Sequence, residues 1–235
     1  MDIFGRALLD YQKENYTEDI KTFSSLDEED IIPLPYLFRS YDKMPSIEKK
    51  ALQLCKGSIL DIGAGAGSHS IWLQKNRYQV TALDISAGAI KTCNLRGVKN
   101  TVKANILDYT DKKFDTLLLL MNGIGICEKL AYLNNYLKHF KSLLKPNGQI
   151  LLDSSDIIYM YQQDNDGGYW VPNNISYYGE VEFTMFYKNE KSFLFGWLYL
   201  DYKTLKNAAE ANNFDCNLVS EGNHYDYLAR LMLKS

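Results

Sequence analysis

The residues in this chain of 235 best placed to do chemistry lie on one short turn, Asp61-Ile62-Gly63-Ala64-Gly65-Ala66-Gly67. Glycines two apart let the backbone turn tightly and let a ligand approach without meeting a Cβ. Such a turn suits several nucleotide-like ligands, and its surroundings narrow the choice. Asp61 stands just before the glycines, where a carboxylate repels a pyrophosphate and welcomes a cation such as an ammonium or a sulfonium. The position at which a dinucleotide fingerprint places its third glycine is Ser68, which disfavours a pyrophosphate set against the helix N-terminus. Asp84 ends the next strand, about 20 residues beyond the turn, where a carboxylate can accept from both hydroxyls of a ribose. The chain has no G-x-x-x-x-G-K-[ST] sequence, which excludes a P-loop.

These groups need a rigid frame, and the pattern around them supplies one. Residues 58–62 form a short apolar run into the turn, and 68–75 read as a helix. Residues 78–83 read as a second strand, and Ser86 caps a helix over 87–95 that Gly97 ends. A third strand is expected over 100–104. Residues 114–121 form a fourth that is almost unbroken in apolar character, as a parallel strand buried on both faces requires. Leu130, Leu133, Leu137, Phe140 and Leu144 recur at helical spacing, and Lys145-Pro146-Asn147-Gly148 turns the chain into a fifth strand over 149–153. This alternation predicts a doubly wound α/β sheet, mostly parallel, with right-handed crossovers.

The two ends of the chain depart from that rhythm. Residues 1–56 are expected to form a helical cap segment, with a helix over 4–15, a stiff Ile31-Ile32-Pro33-Leu34-Pro35 linker and a helix over 46–55 with Ile47, Ala51 and Leu54 on one face. The domain proper is then 57–235, with an insertion over 156–201. Within the insertion, residues 178–187 and 193–201 read as an aromatic hairpin, which offers either a substrate pocket or a homodimer interface. A helix over 202–212 and strands over 215–220 and 225–232 close the chain.

Four motifs in order over residues 57–153 resemble a class I S-adenosylmethionine-dependent methyltransferase. Leu60-Asp61-Ile62-Gly63-Ala64-Gly65-Ala66-Gly67 is similar to the family's first motif, and Val80-Thr81-Ala82-Leu83-Asp84-Ile85-Ser86 to its second strand and ribose-binding acid. Phe114-Asp115-Thr116-Leu117-Leu118-Leu119 is similar to its run into strand four, and Leu143-Leu144-Lys145-Pro146-Asn147-Gly148 to its helix-to-strand turn. The resemblance implies a Rossmann-like fold with an antiparallel C-terminal strand and S-adenosylmethionine as cofactor, converted to S-adenosylhomocysteine. It implies that Asp61 and the backbone of Gly63, Ala64, Gly65 and Gly67 face the methionine part, Asp84 the ribose, and Ile85 the adenine. Asn105, where the family has an aspartate, and the Ile106 N–H would meet the adenine edge. Met121 and Asn122 would line the methyl-donor end.

Candidates for catalysis stay open. Arg39 suits the methionine carboxylate, or packs in the cap; His69 belongs to a helix's first turn. Asp153 could orient a hydroxyl or amine, or cap a turn. His224 and Tyr225 stand where a base and a substrate contact could sit. The chain lacks the Asn/Asp-Pro-Pro-aromatic motif of enzymes that methylate nitrogen in nucleic acid and protein, which leaves a small-molecule O or N acceptor. A net charge of −3 disfavours a nucleic-acid partner. Scattered Cys55, Cys93, Cys127 and Cys216 and three dispersed histidines predict no metal site and a reducing cytoplasm. Neither a signal peptide nor an apolar run of roughly 18 residues is read, so no membrane contact is expected. The rival readings are a non-catalytic cofactor- or partner-binding member of the fold and an NAD-dependent oxidoreductase. The GxGxG spacing and Asp61 weigh against the oxidoreductase.

Overall fold

The computed structural model describes residues 2–173 and 175–234. In chain order the elements are α1 (Ile3–Gln12), β1 (Ile20–Ser24), β2 (Glu29–Ile32), α2 (Leu34–Leu37), α3 (Ser46–Leu54), β3 (Ser58–Ile62), α4 (Ser68–Lys75), β4 (Gln79–Asp84), α5 (Ala87–Leu95) and β5 (Thr101–Lys103). They continue with β6 (Phe114–Leu119), α6 (Leu130–Leu143), β7 (Leu144–Ser155), β8 (Glu180–Tyr187), β9 (Glu190–Lys191), β10 (Phe195–Leu198), α7 (Tyr202–Ala211), β11 (Phe214–Glu221) and β12 (Asp226–Leu233).

The main sheet runs β11-β12-β7-β6-β3-β4-β5. β3 to β7 pair in parallel, while β12 lies antiparallel to β7 and β11 antiparallel to β12. The apolar runs explain the centre. Along β6 the buried Leu117 and Leu119 join Ile150 and Leu152 of β7 in one core with α6, while Leu118 and Leu151 join Ile47, Ala51 and Leu52 of α3 in the other. Alternate residues of a strand point to opposite faces, so a continuous apolar run fills both layers. β7 starts earlier than the expected 149–153. The Lys145–Gly148 turn is absorbed into the strand as an irregularity, with Asn147 at φ 59°.

The N-terminal segment is more than the helical cap expected of residues 1–56. β1 and β2 pair with each other, and β1 pairs with β8 of the insertion, giving a second antiparallel sheet β10-β8-β1-β2 with β9 on β8. The expected hairpin is there, with Phe195 opposite Phe183, but it is completed by a strand from the far end of the chain. The local cause is the alternation in Ile20-Lys21-Thr22-Phe23, whose Ile20 and Thr22 are buried.

α1 docks on the main domain at a glycine pair. A Cβ on Gly88 of α5 would run into the Gly5 backbone of α1. Asp2 fixes the contact by accepting from the Gly5 N–H at 3.0 Å, the Ser86 hydroxyl at 2.9 Å and the Gly88 N–H at 2.9 Å. Gly88→Leu is therefore expected to cost about 1–3 kcal/mol by overpacking. That is a fall in Tm of roughly 2–4 °C per kcal/mol, read by thermal melting. No helix among the described residues is long and apolar enough to cross a membrane.

Candidate active site

The glycine turn sits between the ends of β3 and β4. Gly63 and Ala64 donate their N–H groups to the Leu83 carbonyl at 2.8 and 3.1 Å. Gly63, Gly65 and Gly67 all have positive φ, at 74°, 54° and 80°. Their surroundings differ. A Cβ at Gly63 would meet nothing within 4 Å, whereas one at Gly67 would press on Cys93 Sγ at 2.9 Å. Gly67 thus lets α4 pack against α5, and Gly63 opens onto free space. Arg96 holds the turn from behind, donating to the Ala66 carbonyl at 2.6 Å.

The two acids flank that space. Asp84 is buried; one oxygen accepts from Gly65 N–H at 2.9 Å and the other from Ser86 N–H at 2.8 Å. Each carboxylate oxygen keeps a lone pair for a further donor. Burial pushes its pKa up, and the two backbone donors work against that. Asp61 is buried too and accepts from the Ser70 hydroxyl at 2.6 Å; burial raises its pKa against the pull of His69 and Ser70. Beyond Asp84, Ile85 is 66% exposed, an apolar side chain left open at the strand end. The Asn105 side-chain oxygen accepts from Leu107 N–H at 3.0 Å and caps a short 3-10 turn in which Ile106 is buried.

At the end of β6 the chain turns through two consecutive left-handed residues, Met121 and Asn122. Asp153 at the end of β7 braces them, accepting from Met121 N–H at 3.0 Å and Gly123 N–H at 3.1 Å. Met121 lines a cavity of about 300 Å³ over these strand ends. Asn122 does not; its amide is spent on Ser154 Oγ and the Leu198 carbonyl. The other walls are Tyr36, Pro45, Ile47 and Glu48 on one side and Asp153, Ser155 and Asp226 on the other. None of the hairpin aromatics lines this cavity.

Glu48 is the residue the sequence did not single out. It is buried on α3, where Arg39 pairs with one of its oxygens and His69 Nε2 lies 2.8 Å from the other. Burial alone would raise its pKa, but His69 and Arg39 outweigh that and hold it below the ordinary value. The available signal was a charge on a buried helix face: residues 47, 48, 51 and 52 are buried, while Leu54 is only partly so. Arg39 therefore packs in the cap, with its guanidinium 3.9 Å from the Tyr36 ring centre. His69, in the first turn of α4, is drawn into this cluster through Glu48. His224 is exposed in a turn and Tyr225 stacks on Tyr159, so neither reaches the cavity. Among the described residues, no group of three His, Cys, Asp or Glu could hold a metal ion.

In the sheet, β3 leads through α4 to β4 on one side, and β6 lies on the other. Ligands of open α/β sheets bind where strand order reverses in this way. The site thus belongs to a Rossmann-like cofactor-binding class, with its glycine turn on one side of the reversal and a small cavity on the other. The methyltransferase domain family matches residues 60–152. A crystal structure of an S-adenosylmethionine-dependent methyltransferase from Bacteroides fragilis, in complex with S-adenosylhomocysteine, is 41% identical and superposes with a TM-score of 0.92, covering 100% of this chain and 95% of that one. The chain belongs to the class I S-adenosylmethionine-dependent methyltransferase family. A ubiquinone biosynthesis O-methyltransferase of Rickettsia akari is 28% identical over 107 residues, which is 43% of this chain and only 41% of that protein. An amino pentose methyltransferase from Micromonospora echinaspora shares the fold at a TM-score of 0.58 and 12% identity, over 84% of this chain and 96% of that one.

Proposed function

We propose that this chain transfers the methyl group of S-adenosylmethionine to an oxygen or nitrogen atom of a small molecule. The observation that carries the reading is the open glycine turn, tied to Asp84 and set one strand away from the cavity of about 300 Å³. That volume lies at the lower end for small-molecule sites and suits a compact acceptor.

The chain's own residues fit the cofactor. Gly63 leaves space where a Cβ would intrude, Asp84 has lone pairs for the ribose hydroxyls, and Ile85 offers an apolar face to the adenine. Gly63, Ala64, Gly65 and Gly67 would carry the methionine part, with Asp61 supplying negative charge beneath it. Asn105 and Ile106 would border the adenine, and Met121 the methyl group. Asn122 would act indirectly, by holding β7 and the strand-end turn together. The cofactor, when bound, supplies an electrophilic methyl on a sulfonium. The protein has to orient the acceptor, exclude water and hold the two in line.

The homodimer through the aromatic hairpin remains part of this reading, supported by Phe193, 80% exposed beside the exposed Leu194. Sedimentation of wild type against Phe193→Ser tests it. A cytoplasmic location is supported by four cysteines that are all free and buried.

Thermal melting with each ligand tests the whole. S-adenosylhomocysteine is expected to raise Tm and NAD to leave it unchanged; the reverse pattern would favour the oxidoreductase reading. A chain that binds S-adenosylhomocysteine yet turns over no acceptor would be the non-catalytic member. Asp84→Ala removes charge-assisted hydrogen bonds worth about 1.5–3 kcal/mol. It should weaken S-adenosylhomocysteine roughly 10–100-fold by calorimetry. Unchanged affinity would remove Asp84 from the ribose site.

A further inference from the structure

The cavity has a definite chemical character. Three of its wall residues are carboxylates, Glu48, Asp153 and Asp226, and no lysine, arginine or histidine lines it. The nearby Arg39 and His69 are both engaged with Glu48. The remaining walls, Tyr36, Pro45, Ile47, Met121 and Ser155, are mostly apolar and raise the strength of every charge inside. The cavity stands over β6 and β7, and β6 is the neighbour of β3 on whose end the glycine turn sits. Adjacent strands lie about 5 Å apart, so the cavity and the turn open side by side.

We propose that this cavity holds the methyl acceptor, that the acceptor is an amine, and that Asp226 faces its positive charge while Asp153 removes its proton. This rests on the methyl-transfer reading above and narrows it. A hydroxyl acceptor gains negative charge on oxygen as its proton is drawn off, and among carboxylates that charge is opposed. A carboxylate acceptor is repelled outright. An ammonium is attracted, and it needs what this cavity contains: a fixed anion to hold it and a base to free its lone pair.

The carboxylates divide those tasks. Arg39 and His69 keep Glu48 ionised and balance its charge, so the anion left to hold the ammonium is Asp226, which makes no ion pair among the described residues. Burial pushes Asp153 up to about 7, against the Gly123 and Met121 N–H groups, so it takes up a proton near neutral pH. Glu48 raises its pKa further and His69 lowers it. Tyr36 and Asp226 share the cavity with Asp153, while Tyr227 of β12 lies on the opposite face of the sheet, its hydroxyl donating to the Leu200 carbonyl. The step balances. The ammonium gives one proton to an Asp153 oxygen. The freed nitrogen lone pair forms the N–C bond as the S–C bond breaks, and that bond's electron pair stays on sulfur. The products are S-adenosylhomocysteine and a methylated ammonium, and the Asp153 proton leaves to solvent.

The experiment uses the full chain. Calorimetry first measures S-adenosylhomocysteine affinity; failure there is failure of the methyl-transfer reading, not of the amine assignment. The protein with S-adenosylmethionine is then offered primary and secondary amines of roughly six to twelve non-hydrogen atoms, a size such a cavity admits. Alcohols and carboxylates on the same skeletons accompany them, and methylated product is detected by mass. Methylated amines alone are expected, with kcat/KM rising as the pH passes about 7. Asp226→Asn should raise the amine KM about 5–10-fold with little change in kcat. Asp153→Asn should lower kcat at least ~100-fold and abolish the rise near neutral pH, with S-adenosylhomocysteine affinity retained as the control for folding. Product from alcohols or carboxylates, or from no amine, overturns the proposal. So does an Asp226→Asn protein whose amine KM is that of the wild type.

Discussion

Gly63→Leu is expected to lower affinity for S-adenosylhomocysteine at least ~100-fold, about 2.7 kcal/mol, while the protein stays folded. The two effects separate because of what surrounds this glycine. Its φ of 74° costs a non-glycine residue about 1–2 kcal/mol, a modest loss for a domain of this size. A Cβ there touches nothing within 4 Å, so the leucine side chain starts in open space and grows into the room the turn leaves for a ligand. Gly67→Leu should do the opposite. There a Cβ meets Cys93 Sγ at 2.9 Å and Val98 Cγ2 at 3.2 Å, so the cost falls on the packing of α4 against α5. Calorimetry and thermal melting on both variants distinguish the two roles. A Gly63→Leu protein that binds with wild-type affinity would show that the cofactor lies elsewhere.

The same contrast explains what was legible in the sequence. The parallel half could be read because its signals are local. An apolar run, a glycine turn and a helix follow one another within residues 58–75, and Asp84 comes one strand later. Glycine spacing could not separate the turn's two roles, because what meets a Cβ at Gly67 comes from α5 and the loop after it. β1 was hidden for the same reason: it is five residues long, and its partner β8 lies about 160 positions away. The acceptor cavity is harder still. Tyr36, Glu48, Met121, Asp153 and Asp226 come from five separate segments, and none belongs to a motif whose spacing announces the others. Asp153 and Met121 could be reached through the strand ends. Glu48 could not, because a charge on an amphipathic helix is read as facing solvent until its partners Arg39 and His69 are seen.

Those partners make Glu48 a charge on which the fold depends. Glu48→Ala is expected to cost about 3–5 kcal/mol, since it strands the guanidinium of Arg39, whose side chain is only 2% exposed. Adding Arg39→Met should recover most of the loss, because an apolar side chain of similar length needs no partner there. Denaturant unfolding of both variants and the wild type measures the cycle; a Glu48→Ala loss under about 1 kcal/mol would mean that water reaches the pair. The pH dependence carries a further check. Glu48 in the folded chain lies below its unfolded value of 4.5, so it binds fewer protons folded than unfolded. Its contribution is present above pH 4.5 and is lost as the pH falls through the folded pKa. Asp153 has the opposite sign: raised to about 7 from 3.8, it favours folding at low pH and gives that up as the pH rises between those values. Removing the Arg39–Glu48 pair should therefore flatten the acid side of the stability profile and leave the fall toward neutral pH, which belongs to the carboxylate across the cavity.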